Sequence, residues 1–114
     1  MDRIRVPLRL ILIWAMLAVA ACSKPLPADK ANYAGEWRSA EMRLVITPGG
    51  RVDYERRASG GSKSVQAPIQ KFEGNDFIAG LGPINTRFVV LRPPTLINGV
   101  WTMTVDGVEL KKVP

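Results

Sequence analysis

The chain has 114 residues, enough for one small domain. Apolar residues make up 46% and charged residues 23%, the balance of a folded chain, and the net charge is +6. With no His and a single Cys, the sequence excludes most metal sites, any Cys–His or Ser–His catalytic pair and any intrachain disulfide.

Arg3, Arg5 and Arg9, against Asp2, precede an uncharged apolar run over residues 10–21, LILIWAMLAVAA. Twelve helical residues at about 1.5 Å each span roughly 18 Å, well short of a bilayer core about 30 Å thick. A basic start, a short apolar run and small residues at its end predict a helical signal peptide over 1–21.

Val19-Ala20-Ala21-Cys22 closes that run and uses the only Cys in the chain. It resembles the lipobox of bacterial lipoprotein precursors: an aliphatic residue, two small ones, then Cys. The resemblance implies cleavage between Ala21 and Cys22, a diacylglyceryl group on the Cys22 thiol and acylation of the new amine. The chemistry agrees. Small side chains let an extended backbone enter a protease cleft, and a thiolate is the natural nucleophile for alkylation. One acyl chain binds a bilayer marginally, whereas two or three hold it durably. The implied partner is the membrane, through acylated Cys22. Ser23 stands where an Asp commonly retains Gram-negative lipoproteins on the inner membrane. The resemblance therefore implies the outer membrane, on its periplasmic face. Losing the leader removes three Arg and one Asp and lowers the charge to +4.

Residues 22–32 then read as the lipidated Cys and a short tether, with two Pro and no apolar period. Ten residues reach at most about 35 Å. Residues 33–114 are punctuated throughout by Gly and Pro, and no long stretch has helical spacing. Short alternating runs between turn signals predict an all-β domain. We expect an antiparallel meander of six or seven strands, rolled into a barrel or half-barrel, after the signal helix.

Two hairpins can be registered. Met42, Leu44 and Ile46 alternate with polar residues up to Pro48-Gly49-Gly50, and Val52 and Tyr54 alternate after it. A three-residue loop, with Pro48 second in a type I turn and Gly50 left-handed, sets Ile46 opposite Val52 and Leu44 opposite Tyr54. Later, Asp106-Gly107 predicts a type I′ turn that sets Val105 opposite Val108 and Met103 opposite Leu110. Between the hairpins, 64–72, 76–81 and 85–91 read as strands. Pro68 marks an edge or a bulge. The run 85–91, apolar on both faces near its end, reads as a central strand. The expected core is Trp37, Leu44, Ile46, Val52, Tyr54, Ile69, Phe72, Phe77, Phe88, Val90, Trp101, Met103, Val105, Val108 and Leu110.

Few residues suggest chemistry. Gly35-Glu36-Trp37 resembles the Gly-x-Trp that opens the first strand of lipocalins, which would imply a small carrier of an apolar ligand or lipid. Arg51, Arg56, Arg57, Arg87 and Arg92, with Lys63 nearby, are a candidate anion-binding patch. Its partner would be another envelope protein or an anionic envelope glycan or lipid. Nucleic acid is not expected, because the export signal takes the protein away from it. The closest carboxylate pairs are Asp53/Glu55 and Glu73/Asp76, and nothing in the sequence builds the cleft a glycosidase needs around such a pair. We expect no enzyme, metal or cofactor, but a lipid-anchored envelope lipoprotein whose β domain is a binding or assembly accessory. The alternatives are the lipocalin-like carrier and an envelope enzyme inhibitor presenting a loop at 59–64 or 91–99.

Overall fold

The computed structural model describes residues 23–114, so the signal peptide, its cleavage site at Ala21 and the Cys22 thiol lie outside the described residues. A 3₁₀ helix over Ala28–Tyr33 leads into nine strands: β1 (Gly35–Arg38), β2 (Met42–Ile46), β3 (Arg51–Ala58), β4 (Gly61–Glu73), β5 (Asp76–Leu81), β6 (Ile84–Phe88), β7 (Val90–Ile97), β8 (Val100–Val105) and β9 (Val108–Lys112). All pairings are antiparallel, in the order β6-β5-β4-β3-β2-β1-β9-β8-β7. The domain is all-β, as its turn signals predict, and the sheet curls into a half-barrel.

Both predicted hairpins have the expected register. Ile46 faces Val52 and Leu44 faces Tyr54. The Gly50 amide donates to the Thr47 carbonyl at 3.0 Å, and Gly50 has φ +86°. Val105 faces Val108 and Met103 faces Leu110 across Asp106 and Gly107, both at positive φ. Turn chemistry and apolar alternation therefore agree at each site, which is what fixes a register.

Two long runs change partners part-way, and the second of these changes adds a strand beyond the expected six or seven. The first half of β4 pairs with β3 and the second half with β5. The transfer falls at Pro68, which has no N–H to donate, and at a register shift between Ile69 and Lys71. Pro68 thus marks a bulge at a corner, not an edge. The freed Ile69 amide donates to the Gly50 carbonyl at 2.7 Å.

The second change is at Val89. Residues 84–88 pair with β5 and residues 90–97 pair with β8, so one run of chain forms both edges of the sheet. This corrects the expected central strand at 85–91. The apolar run Phe88-Val89-Val90 is a bend that turns both Phe88 and Val90 inward, leaving Val89 partly exposed. The strand buried on both faces is β5, where Phe77, Ile78, Ala79 and Gly80 are all covered. Two carboxylates pin the bend. The Val90 amide donates to Asp76 Oδ1 at 2.7 Å, and the Val89 amide to Asp106 Oδ1 at 2.9 Å. These side chains take over where the ladder cannot satisfy the backbone.

The loop expected at 91–99 is also a strand, β7. Its prolines, Pro93 and Pro94, fall within register shifts on an edge, where a missing N–H is tolerated. Residues 59–64 likewise form the tip of the β3–β4 hairpin.

The two corners fold β5 and β6 over the larger sheet and enclose one core. Phe77 stacks on Phe88 with ring centroids 4.8 Å apart, and Tyr54 meets Phe88 edge-on at 5.1 Å. All the expected core residues are buried except Phe72 and Trp101, which pack half-buried against its rim. Tyr33 and Met42 join the core from outside the expected set.

The residues read as a tether are not free of the domain. Leu26 packs against the core, and its amide donates to the Pro48 carbonyl at 3.0 Å. Gly50 lies so close to Lys24 that a methyl group there would overlap the Lys24 carbonyl oxygen. Tyr33 ends the 3₁₀ helix. Its ring meets Phe72 and Phe77 edge-on, and its hydroxyl donates to the Asn75 carbonyl at 2.8 Å. The fully buried Trp37 donates its indole N–H to the Tyr33 carbonyl at 2.9 Å. The helix thereby plugs the lower end of the barrel, the end carrying the turns after β2 and β7. The turns after β1, β3 and β8 form the upper end. Burial pushes the Tyr33 phenol up to about 12.

If Asp76 and Asp106 hold the bend, removing one should be felt globally. Asp76→Ala orphans a partly buried amide and should destabilise the full chain by about 1–3 kcal/mol in urea unfolding. Asp29→Ala, at an exposed carboxylate, should change stability by less than about 0.5 kcal/mol. Equal effects would contradict the role assigned to the bend.

Candidate functional site

The densest cationic surface lies at the upper end. The β1–β2 loop is shaped by Ser39, whose hydroxyl accepts the amides of Glu41 at 3.2 Å and Met42 at 3.0 Å. The loop is tied to β3 by the Arg57 amide, which donates to the Glu41 carbonyl at 2.8 Å. Between this loop and the β3–β4 hairpin lies an open cleft of about 600 Å³. Arg38, Arg43, Arg56, Arg57 and Lys63 line it, against Glu41 and Glu55, with Ser62 and Ser64 on its floor strand β4.

Ion pairing sorts these cations. Arg56 Nη2 is 3.5 Å from Glu41 Oε2, and Arg43 lies 3.5 Å from Glu36 and 3.6 Å from Asp53. Arg38 also pairs with Glu36. Arg57 and Lys63 have no carboxylate partner among the described residues. They sit on opposite faces of the hairpin, because Arg56 pairs with Lys63 and Arg57 with Ser62. A second groove runs behind the hairpin, lined by Tyr54, Arg56, Lys63 and Asp106. There burial raises the Tyr54 phenol, against the pull of the Arg56 guanidinium.

The structure divides the candidate patch. Arg56 and Arg57 share the cleft with Lys63. Arg51 begins β3 at the lower end, opposite Pro68. Arg92 lies on edge strand β7, opposite Thr104. Arg87 lies on β6 and is already occupied. Its Nη1 is 2.7 Å from Glu73 Oε2, and its Nη2 is 3.0 Å from Asp76 Oδ2. Arg38 and Arg43, which complete the cleft, were not among the candidates. Extending the β2–β3 register would have found Arg43, which pairs with Glu55 one position from Met42 and Arg56.

Three of the four carboxylates in the closest pairs hold cations. Asp53 faces Arg43, while Glu73 and Asp76 hold Arg87. Among the described residues no group of three or more His, Cys, Asp or Glu is placed to hold a metal ion, and no helix is long and apolar enough to cross a membrane. Comparison with protein-family models, characterised proteins and solved structures finds no match.

Glu73 reports on the cation cluster at β5. Hydrogen bonds from Lys71 and then Arg87 hold its carboxyl down at about 2. Whatever this site adds to stability is present above the ordinary carboxylate value of 4.5 and fades as pH falls towards 2. An NMR titration should place Glu73 near that low value, and Arg87→Ala should move it up towards the ordinary range. An unchanged midpoint in Arg87→Ala would show that the pair does not form in solution.

Proposed function

We propose that the chain is a lipid-anchored cell-envelope lipoprotein whose β domain binds, without catalysis, an anionic partner at the upper-end cleft. The observation that carries the anchor is Val19-Ala20-Ala21-Cys22 at the end of a short apolar run. Ser23, immediately after the acylated Cys, supports residence on the outer membrane facing the periplasm. The cleft supports the binding role, because five cations and two carboxylates line it, and Arg57 on one face of the hairpin and Lys63 on the other have no carboxylate partner among the described residues. The filled interior, with Phe77 stacked on Phe88, favours a surface-binding role over that of an apolar-ligand carrier. The sheet resembles the lipocalin pattern at Gly35-x-Trp37, but here Trp37 is spent on holding the plug.

Expression of the full chain in a Gram-negative host tests both parts. Mass spectrometry of the membrane fraction should find a chain beginning at Cys22 and carrying acyl mass, and Cys22→Ala should accumulate the uncut precursor. An intact leader or an unmodified Cys22 in the parent would overturn the anchor. Purified sacculi are the probe for the cleft. Binding should weaken as salt rises, because exposed charges are screened, and should fall several-fold in Arg57→Glu and Lys63→Glu. Binding that is indifferent to both substitutions would remove the cleft from the function.

A further inference from the structure

Residues 24–27 are held against the β2–β3 turn. The Leu26 amide is bonded to Pro48, and the Lys24 carbonyl sits directly on Gly50. Cys22 precedes Lys24 by two residues, and two residues span at most about 7 Å. A lipid group on Cys22 therefore leaves the domain beside the β2–β3 turn, at its lower end, with almost no free chain. This step rests on the lipoprotein reading above.

The lower end has the composition such a contact needs. Leu96 is 56% exposed, and Val100 and Val113 are about 40% exposed. Leu96 and Val100 flank the β7–β8 turn, and the Val113 amide is bonded to Glu36 near the start of β1. β7 packs against the 3₁₀ helix, so this rim adjoins the held segment. Lys24 and Arg51 are exposed at the same end and have no carboxylate partner among the described residues. Apolar side chains beside unpaired cations suit the interface of an anionic bilayer.

We propose that this lower end, formed by residues 24–27, the β2–β3 turn and the β7–β8 hairpin, lies against the bilayer that Cys22 enters, so that the Arg57 and Lys63 cleft faces away from it. Arg51 and Ala58 stand at opposite ends of β3, roughly 23 Å apart along the strand. The Debye length is about 8 Å at physiological salt. Phosphates of the anchoring bilayer are therefore screened from the cleft, and its anion must come from the aqueous side.

The test uses the acylated full chain in vesicles of phosphatidylethanolamine and phosphatidylglycerol. A fluorophore is placed at Gly49→Cys, on the β2–β3 turn, or at Ser59→Cys, on the β3–β4 turn. Headgroup-labelled quencher lipid should quench the Gly49 site several-fold more than the Ser59 site. Gly50→Ala, which ejects Lys24 from its seat, should shrink that difference, and Leu26→Gly should do the same if Gly50→Ala folds poorly. Equal quenching at both sites on a chain shown by mass to be acylated overturns the orientation and leaves the anchor standing. An unmodified Cys22 overturns the anchor and the orientation together.

Discussion

Three segments of chain meet at Gly50. Its left-handed backbone closes the β2–β3 turn. Its carbonyl accepts the Ile69 amide just where β4 leaves β3 for β5. Its missing side chain makes room for the Lys24 carbonyl. Hairpin register, the corner in β4 and the seating of the N-terminal segment thus share one residue, and no L-amino acid with a Cβ satisfies all three. A side chain here would meet both an unfavourable φ and an occupied space.

The second constraint is geometric. A nine-stranded antiparallel sheet has two edges, and open edges invite pairing with other chains. Here both edges are halves of a single run bent at Val89, so the chain itself draws them together at that point. The bend holds because Asp76 and Asp106 accept the two amides that leave the ladder. Phe88, beside the bend, fills the space this creates, against Phe77 and Tyr54. Corner, edge and core are one arrangement, which is why 82 residues curl into a half-barrel around one core without a disulfide.

Much of this was legible in the residues. Both hairpins could be registered because a two- or three-residue turn with a required positive φ leaves only one pairing that keeps apolar residues on one face. The core followed from the same alternation. The bends were not legible. Phe88-Val89-Val90 looks like a strand buried on both faces, because period alone cannot separate that case from a kink. The carboxylates that pin it lie 14 and 17 residues in sequence from the amides they accept and appear, locally, as ordinary turn residues. The cleft was half legible. Arg56 and Arg57 announce themselves as a cluster, but Arg43 reaches it only through the pairing of β2 with β3 and Arg38 only through that of β1 with β2. Arg87 belonged to the same list by composition, and only the fold shows that Glu73 and Asp76 have claimed it.

What emerges is a domain with two distinct ends, one seating the segment that follows Cys22 and one presenting the cleft between the β1–β2 loop and the β3–β4 hairpin. That polarity depends on residues 24–27 being part of the fold, not a flexible leash. Hydrogen exchange at the Leu26 amide tests it most directly. The bond to Pro48 predicts protection comparable to that of the Ile69 amide, which is held by Gly50. Exchange of Leu26 at the rate of an unstructured chain, with Ile69 protected, would show that the segment is free and that the two ends have no fixed relation to the anchor.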